Sequence, residues 1–166
     1  MRYLGLDYGE KTVGVALSDA LLLTAQPYET IFRKEENKLR RTFARIEEIC
    51  REQEVGRIVL GLPLSMDGSD SQTTVKARAF KEVLERRTGL PVIFQDERLT
   101  SVAAEEILRE MAVPAAERKA YIDKIAAAVI LRDYMNEQER RGADRAENTQ
   151  TRKDDTAAAG STGKGE

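Results

Sequence analysis

The stretch Arg2-Tyr-Leu-Gly-Leu-Asp-Tyr-Gly9 reads as a β-strand that carries a carboxylate where a core residue is expected. Tyr3, Leu4 and Leu6 form a short apolar run, the pattern of a strand buried on both faces of a sheet. Asp7 interrupts that run, and Gly9 marks a turn directly after it. A charge in a buried strand is expensive unless it is paired, hydrogen-bonded or bound to a metal. Two readings of Asp7 follow. It caps the turn through an Asx hydrogen bond, or it has companions elsewhere in the chain.

Working outward, Val13-Gly-Val-Ala-Leu17 reads as a second strand, and a third runs through Leu22–Gln26 to Ile31-Phe32. Connections this short force antiparallel neighbours, so residues 2–32 are expected to form a three-stranded meander. Pro27 suits an edge strand or a bulge. From Lys34 to Glu54 the period becomes helical, with Leu39, Phe43, Ile46 and Cys50 on one stripe and Gly56 as the stop. Arg57–Leu62 is the next strand, and Pro63–Thr74 a polar loop. A helix over Thr74–Arg87 is expected to bury Val75, Ala79, Val83 and Leu84, with Gly89 closing it. Pro91–Gln95 is the fifth strand. Thr100 and Ser101 are placed to cap a helix through Met111. Pro114 breaks that helix, and a last one spans about 117–140, with Ile122, Ile125, Ala126, Val129 and Ile130 facing inward. Short meander connections followed by right-handed crossovers predict an α/β fold: a mixed five-stranded sheet, three antiparallel strands plus two parallel ones, flanked by helices.

Composition narrows the chemistry. A chain of 166 residues can bury one core of its own. Residues 141–166 have almost no large apolar side chains, so the expected division is a folded domain over 1–140 and a flexible low-complexity tail over 141–166. No run of 18 apolar residues is present, and the N-terminus enters its first strand at once, which leaves no room for a signal peptide. A lone cysteine, Cys50, allows no internal disulfide and fits a reducing cytoplasm. The chain has no histidine. Histidine-based triads, ligands and proton shuttles are therefore excluded. Net charge is −2, and the last 26 residues carry five charges of each sign, so there is no overall basic field. A nucleic-acid function would need a local basic patch or bound cations.

Three acids sit awkwardly. Asp7 is in the first strand. Glu97 follows the fifth, at the edge where open α/β sheets form ligand crevices. Asp123 lies on the last helix between Ile122 and Ile125, and the small Ala126 and Ala127 would let that helix approach the sheet. Each has a plainer reading: Glu97 as an ion-pair partner of Arg98, Asp123 as a first-turn acid, and Asp96 as a substitute for Glu97. Together they suggest a cluster that needs cations to stay ionised. Carboxylates without histidine suit Mg²⁺ or Mn²⁺, and two such ions about 4 Å apart cleave phosphodiesters without a protein nucleophile. Lys11, Arg98, Lys119 and Lys124 are candidate phosphate contacts. The basic run from Arg33 to Arg41 is interspersed with Glu35 and Glu36 and is expected to be solvated.

Leu4-Gly-Leu-Asp-Tyr-Gly9 with Lys11 and Gly14-Val-Ala-Leu-Ser-Asp19, then Val59-Leu-Gly-Leu-Pro63 with Met66-Asp-Gly68, Asp96-Glu-Arg-Leu-Thr100 and Ile122-Asp-Lys-Ile-Ala-Ala127 resemble the YqgF/RuvX family. The match covers about residues 1–138. The resemblance implies an RNase H-like nuclease domain over 1–140. It also implies a metal-dependent hydrolase of the bacterial cytoplasm, acting on the 5′ end of the 16S rRNA precursor, with its acidic triad on Asp7, Glu97 and Asp123. The family's earlier description as a Holliday junction resolvase makes branched DNA the alternative substrate, and a weak homodimer the alternative to a monomer. Glu10 departs from the pattern, because many members carry Thr there. Two further alternatives remain open. Asp7-Tyr-Gly9 with Lys11 also resembles a phosphate loop of actin-like and sugar-kinase ATPases, and the fold could serve a non-catalytic RNA-binding protein.

Overall fold

The computed structural model describes residues 1–63, 71–97 and 100–159, and for Ser101, Lys119 and Ala120 the backbone alone. The central strand is β1 (Arg2–Tyr8). It pairs antiparallel with β2 (Thr12–Ser18), which pairs antiparallel with β3 (Ala25–Phe32). On its other side β1 runs parallel to β4 (Val55–Leu62), and β4 parallel to β5 (Val92–Asp96). The order β3-β2-β1-β4-β5 is the meander with two crossovers that the connection lengths predict.

Strand alternation gives the sheet two unlike faces. One is oily. Leu4 and Leu6 of β1, Val13, Val15 and Leu17 of β2, and Ile58 and Leu60 of β4 meet Phe43, Ile46 and Ile49 of α1 (Arg40–Glu52) and Phe80 and Leu84 of α2 (Gln72–Thr88). Each such side chain contributes about 1.5–3 kcal/mol on burial. Rings within this face stack into a column. Tyr8 lies on Phe80 with centroids 4.2 Å apart, and Phe80 on Phe43 at 4.9 Å. The guanidinium of Arg33 covers Tyr8 at 5.2 Å, and that of Arg87 covers Phe43 at 5.5 Å.

The other face carries the alternate residues, and three of them are glycines: Gly5, Gly14 and Gly61. Here residues 123–131 of α4 (Ala115–Ala159) lie on the sheet. A Cβ on Gly5 would sit 2.7 Å from Leu131 Cβ and 2.8 Å from the Ala127 carbonyl oxygen, so a side chain there would push the helix away. Ala104 and Leu108 of α3 (Thr100–Glu110) pack against Ile125 and Ala126 of α4.

Several local expectations are corrected. α1 begins at Arg40 rather than Lys34, and its end is made by Glu54 in the left-handed region (φ 52), with Val55 already in β4. On α2 the buried stripe is Thr74, Ala77, Phe80 and Leu84. Val75 is 64% exposed and Ala79 is exposed, because the helix starts at Gln72 behind a Ser71–Thr74 capping box and is rotated from the expected phase. Gly89 caps α2 in the left-handed conformation (φ 68), as expected.

The chain divides into two compact units, Met1–Tyr134 and Met135–Glu166. The tail expected to be flexible is helical as far as Ala159, with residues 141–159 all exposed. Its composition lacks an apolar face yet is rich in helix formers and free of proline. Local contacts add to this: Gln150 Nε2 donates to Asp154 Oδ1 at 3.0 Å, and the Thr149, Thr151 and Thr156 hydroxyls donate to carbonyls four residues back. Among the described residues no helix is long and apolar enough to cross a membrane.

Candidate functional site

Asp7 emerges near the end of β1 on the glycine-lined face. Its register partner on β2 is Gly14. A Cβ on Gly14 would run into the carbonyl group of Asp123 and lie 3.0 Å from the Lys124 amide nitrogen. The missing side chain therefore lets the α4 backbone settle on β2 beside Asp7, which brings Asp123 to the site. Glu97 arrives from the far side. Its N–H donates to the Leu62 carbonyl at 3.3 Å, which keeps the chain alongside β4 after β5 ends. Its carboxyl lies over Gly61, where a Cβ would be 2.9 Å from Glu97 Cδ and 2.7 Å from Ile130 Cδ1.

The carboxyls of Asp7 and Glu97 are hydrogen-bonded to each other. Burial raises both above the ordinary carboxylate range, Glu97 the more. The charge of Asp123 adds to the rise at Asp7, and the charges of Asp7 and Asp96 add to the rise at Glu97. The metal-free pair thus shares a proton between two carboxyl groups that cannot both ionise cheaply. The third acid is held separately, with Asp123 Oδ2 accepting from Thr12 Oγ1 at 2.9 Å. Among the described residues no three acidic or thiol side chains surround a common ion position; Asp7 and Glu97 are paired with each other, and Asp123 accepts from the Thr12 hydroxyl. In kind, three carboxylates suit a hard divalent cation, and such an ion would take the place of the shared proton.

The turn cap at Asp7 and the first-turn contact at Asp123 do not form, while the pairing of Glu97 with Arg98 lies outside the described residues. Asp7 bonds Glu97, and the turn after it is closed by Gly9 N–H donating to the Thr12 carbonyl at 2.8 Å. Asp123 is the ninth residue of α4, beyond the reach of a first-turn dipole contact. Asp96 is exposed at the end of β5. Of the candidate phosphate contacts, Lys11 is exposed at the β1–β2 turn, while Lys124 holds its Nζ over the Tyr121 ring at 4.9 Å. Arg98, the side chain of Lys119 and most of the Pro63–Thr74 loop lie outside the described residues.

Arg33 is not the solvated charge expected. Its Nη2 donates to the carbonyls of Gly9 (2.5 Å) and Glu10 (2.6 Å), and its Nε to Glu36 O at 3.1 Å. Thr12, Arg33, Gly14 and Gly61 were all missed as site-shaping residues. The glycines carried a signal, since each stands inside an apolar strand where a close approach is the usual reason for it.

A mixed sheet in this order, with acids on the central strand, after the outer parallel strand and on the covering helix, defines an RNase H-like fold. The RuvC protein of T. thermophilus in complex with a Holliday junction substrate superposes with a TM-score of 0.55 over 84% of this chain and 96% of that one, at 17% identity. A second structure of Thermus thermophilus RuvC gives 0.52 at 16% identity. A sequence profile described as RuvX, Holliday junction resolvase, matches residues 1–137, and the chain belongs to the RuvX family. A relative from Lachnospira eligens is 54% identical over 140 residues, spanning 84% of this chain and all of the relative. One from Listeria monocytogenes is 46% identical over 136 residues, spanning 82% and 98%. Both are named "Putative pre-16S rRNA nuclease". The chain is by family a nuclease, a hydrolase of phosphodiester bonds.

Proposed function

We propose that this nuclease cleaves the 5′ leader of the 16S rRNA precursor in the bacterial cytoplasm, as a monomer or weak homodimer, with Asp7, Glu97 and Asp123 holding Mg²⁺ or Mn²⁺. The observation that supports the reading best is that acids from three separate elements stand at one end of the sheet, Asp7 beside Glu97 and Asp123 near enough for its charge to act on Asp7. Two of them are kept in contact although burial disfavours their charges. When bound, divalent ions would supply an activated water and neutralise charge on the reacting phosphate. The chain supplies position. Asp7 is fixed by the central strand, Glu97 by the extension of β5 along Leu62, and Asp123 by the seat of α4 on Gly14. Lys11, exposed at the turn beside Asp7, is placed to meet a backbone phosphate; Arg98, Lys119 and Lys124 are proposed in the same role. A bound cation would favour the ionised form of Asp7 and Glu97, so the pair would give up its shared proton to hold it.

The test is cleavage of an end-labelled 16S precursor leader with Mg²⁺ or Mn²⁺. Loss of cleavage in the Asp7→Asn variant is expected, and undiminished cleavage by that variant, free of contaminating nuclease, would sink the proposal. A second reading, a four-way DNA junction as substrate, is favoured by the description of the matching family profile. It calls for a symmetric dimer that presents two sites. Junction cleavage at matched metal concentration, with the mass in solution, separates the two.

A further inference from the structure

The proposed chemistry makes no use of Thr12, yet this residue decides where the third carboxyl points. Thr12 is the last residue of the four-residue turn Gly9–Thr12 and the first of β2. Its hydroxyl donates to Asp123 Oδ2 at 2.9 Å across 111 residues of sequence. A threonine starting a strand has few χ1 choices, so its hydroxyl is a stiff donor. Asp123 is therefore held twice: its backbone rests on Gly14, and one of its carboxyl oxygens rests on Thr12.

The turn that carries Thr12 is itself locked. Arg33 Nη2 donates to the carbonyls of Gly9 and Glu10, and the Arg33 backbone N–H donates to the Lys11 carbonyl at 2.9 Å. Its guanidinium also lies on the Tyr8 ring, and its Nη1 is buried with no hydrogen-bond partner among the described residues. A guanidinium kept in place with one nitrogen unsatisfied is costly. What it secures is the path of three consecutive residues between Asp7 and Thr12.

We propose that Thr12 is a positioning residue that orients the Asp123 carboxyl toward a divalent cation, and that Arg33 holds the turn from which Thr12 does so. The inference rests on the metal site of the proposed function. Outer partners of this kind hold a ligand in one orientation, and losing one typically weakens metal affinity or activity about ten- to hundredfold.

The experiment is a titration of the full chain with Mn²⁺, following free Mn²⁺ by electron paramagnetic resonance. Thr12→Val should weaken Mn²⁺ binding about ten- to hundredfold, Thr12→Ser should restore it to near the wild-type value, and Arg33→Met should shift it in the same direction as valine. Circular dichroism checks that each variant is folded, and Thr12→Ala is read in place of the valine variant if the latter is not. Wild-type affinity in Thr12→Val, or a loss that serine does not restore, overturns the role of Thr12. Unchanged affinity in Arg33→Met overturns the part assigned to the clamp. Wild-type protein that takes up no Mn²⁺ overturns the metal reading itself and this inference with it.

Discussion

Gly14→Ala tests whether the seat of α4 on the sheet sets the chemistry. The added methyl would enter the Asp123 carbonyl and stand 3.0 Å from the Lys124 nitrogen. Ordinary contact begins near 3.5 Å, so the helix must lift by roughly 1 Å or more at this point. Overpacking of this kind costs about 1–3 kcal/mol, which lowers Tm by roughly 3–10 °C for a domain of this size. A displacement of about 1 Å in a reacting group costs on the order of a hundredfold in rate. Gly5→Ala is the matched comparison. Its methyl meets the same helix at Ala127 and Leu131, with contacts of 2.8 and 2.7 Å. A similar loss of Tm is expected there, but Asp123 lies a turn or more away, so the rate should fall less than about tenfold. Thermal unfolding by circular dichroism and single-turnover cleavage of the 16S precursor leader measure both quantities. Wild-type Tm and rate in Gly14→Ala would show that α4 does not depend on that seat. Equal rate losses in the two variants would show that Gly14 has no special hold on Asp123.

Three further outcomes are expected. Gly61→Ala places a methyl 2.9 Å from Glu97 Cδ, so it should displace that carboxyl and weaken Mn²⁺ binding by about tenfold or more, measurable by calorimetry. The raised values of Asp7 and Glu97, caused first by burial, mean that the folded chain keeps protons the unfolded chain has lost. Metal-free protein in chelator should therefore lose stability as pH rises from about 4 through the raised values, and Asp7→Asn should flatten that slope; a Tm that climbs over this range contradicts the assignment. Among the described residues truncation after Arg140 removes only exposed helix, so unfolding of the Met1–Tyr134 unit in urea should change by less than about 0.5 kcal/mol.

Much of this architecture was legible in the sequence because strand alternation and short connections leave few topologies. Asp7 stood out as a charge in an apolar strand, and Asp123 as an acid between two isoleucines. The close approach of α4 was anticipated from the small Ala126 and Ala127, and Ala127 does meet the sheet at Gly5, but the sheet's own glycines formed no part of that reading. Ala126 packs toward α3, and the space beside Asp123 comes from Gly14 on the sheet. A glycine inside a strand signals a close approach without naming what approaches, so the partner becomes visible only in three dimensions. The phase of α2 failed because Val75 looked like core, whereas its capping box turned Thr74 inward instead. Arg33 was hidden in a run of lysines and arginines, since nothing local distinguishes a guanidinium that binds carbonyls 23 residues earlier from one in water. The helix beyond Gly142 was missed because a missing apolar face says little about local propensity.

The two faces of the sheet should also differ in how they tolerate change. The oily face, with its column from Arg33 through Tyr8, Phe80 and Phe43 to Arg87, sets how firmly the chain folds. The glycine face sets where the acids stand. Conservative exchanges among Phe43, Ile46 or Leu84 can shift the melting temperature while leaving the acids in register, and so offer a lineage room to adapt to heat or cold. Gly14 and Gly61 offer no such room: there the smallest possible addition, one methyl, runs into Asp123 or Glu97 as well as into the covering helix.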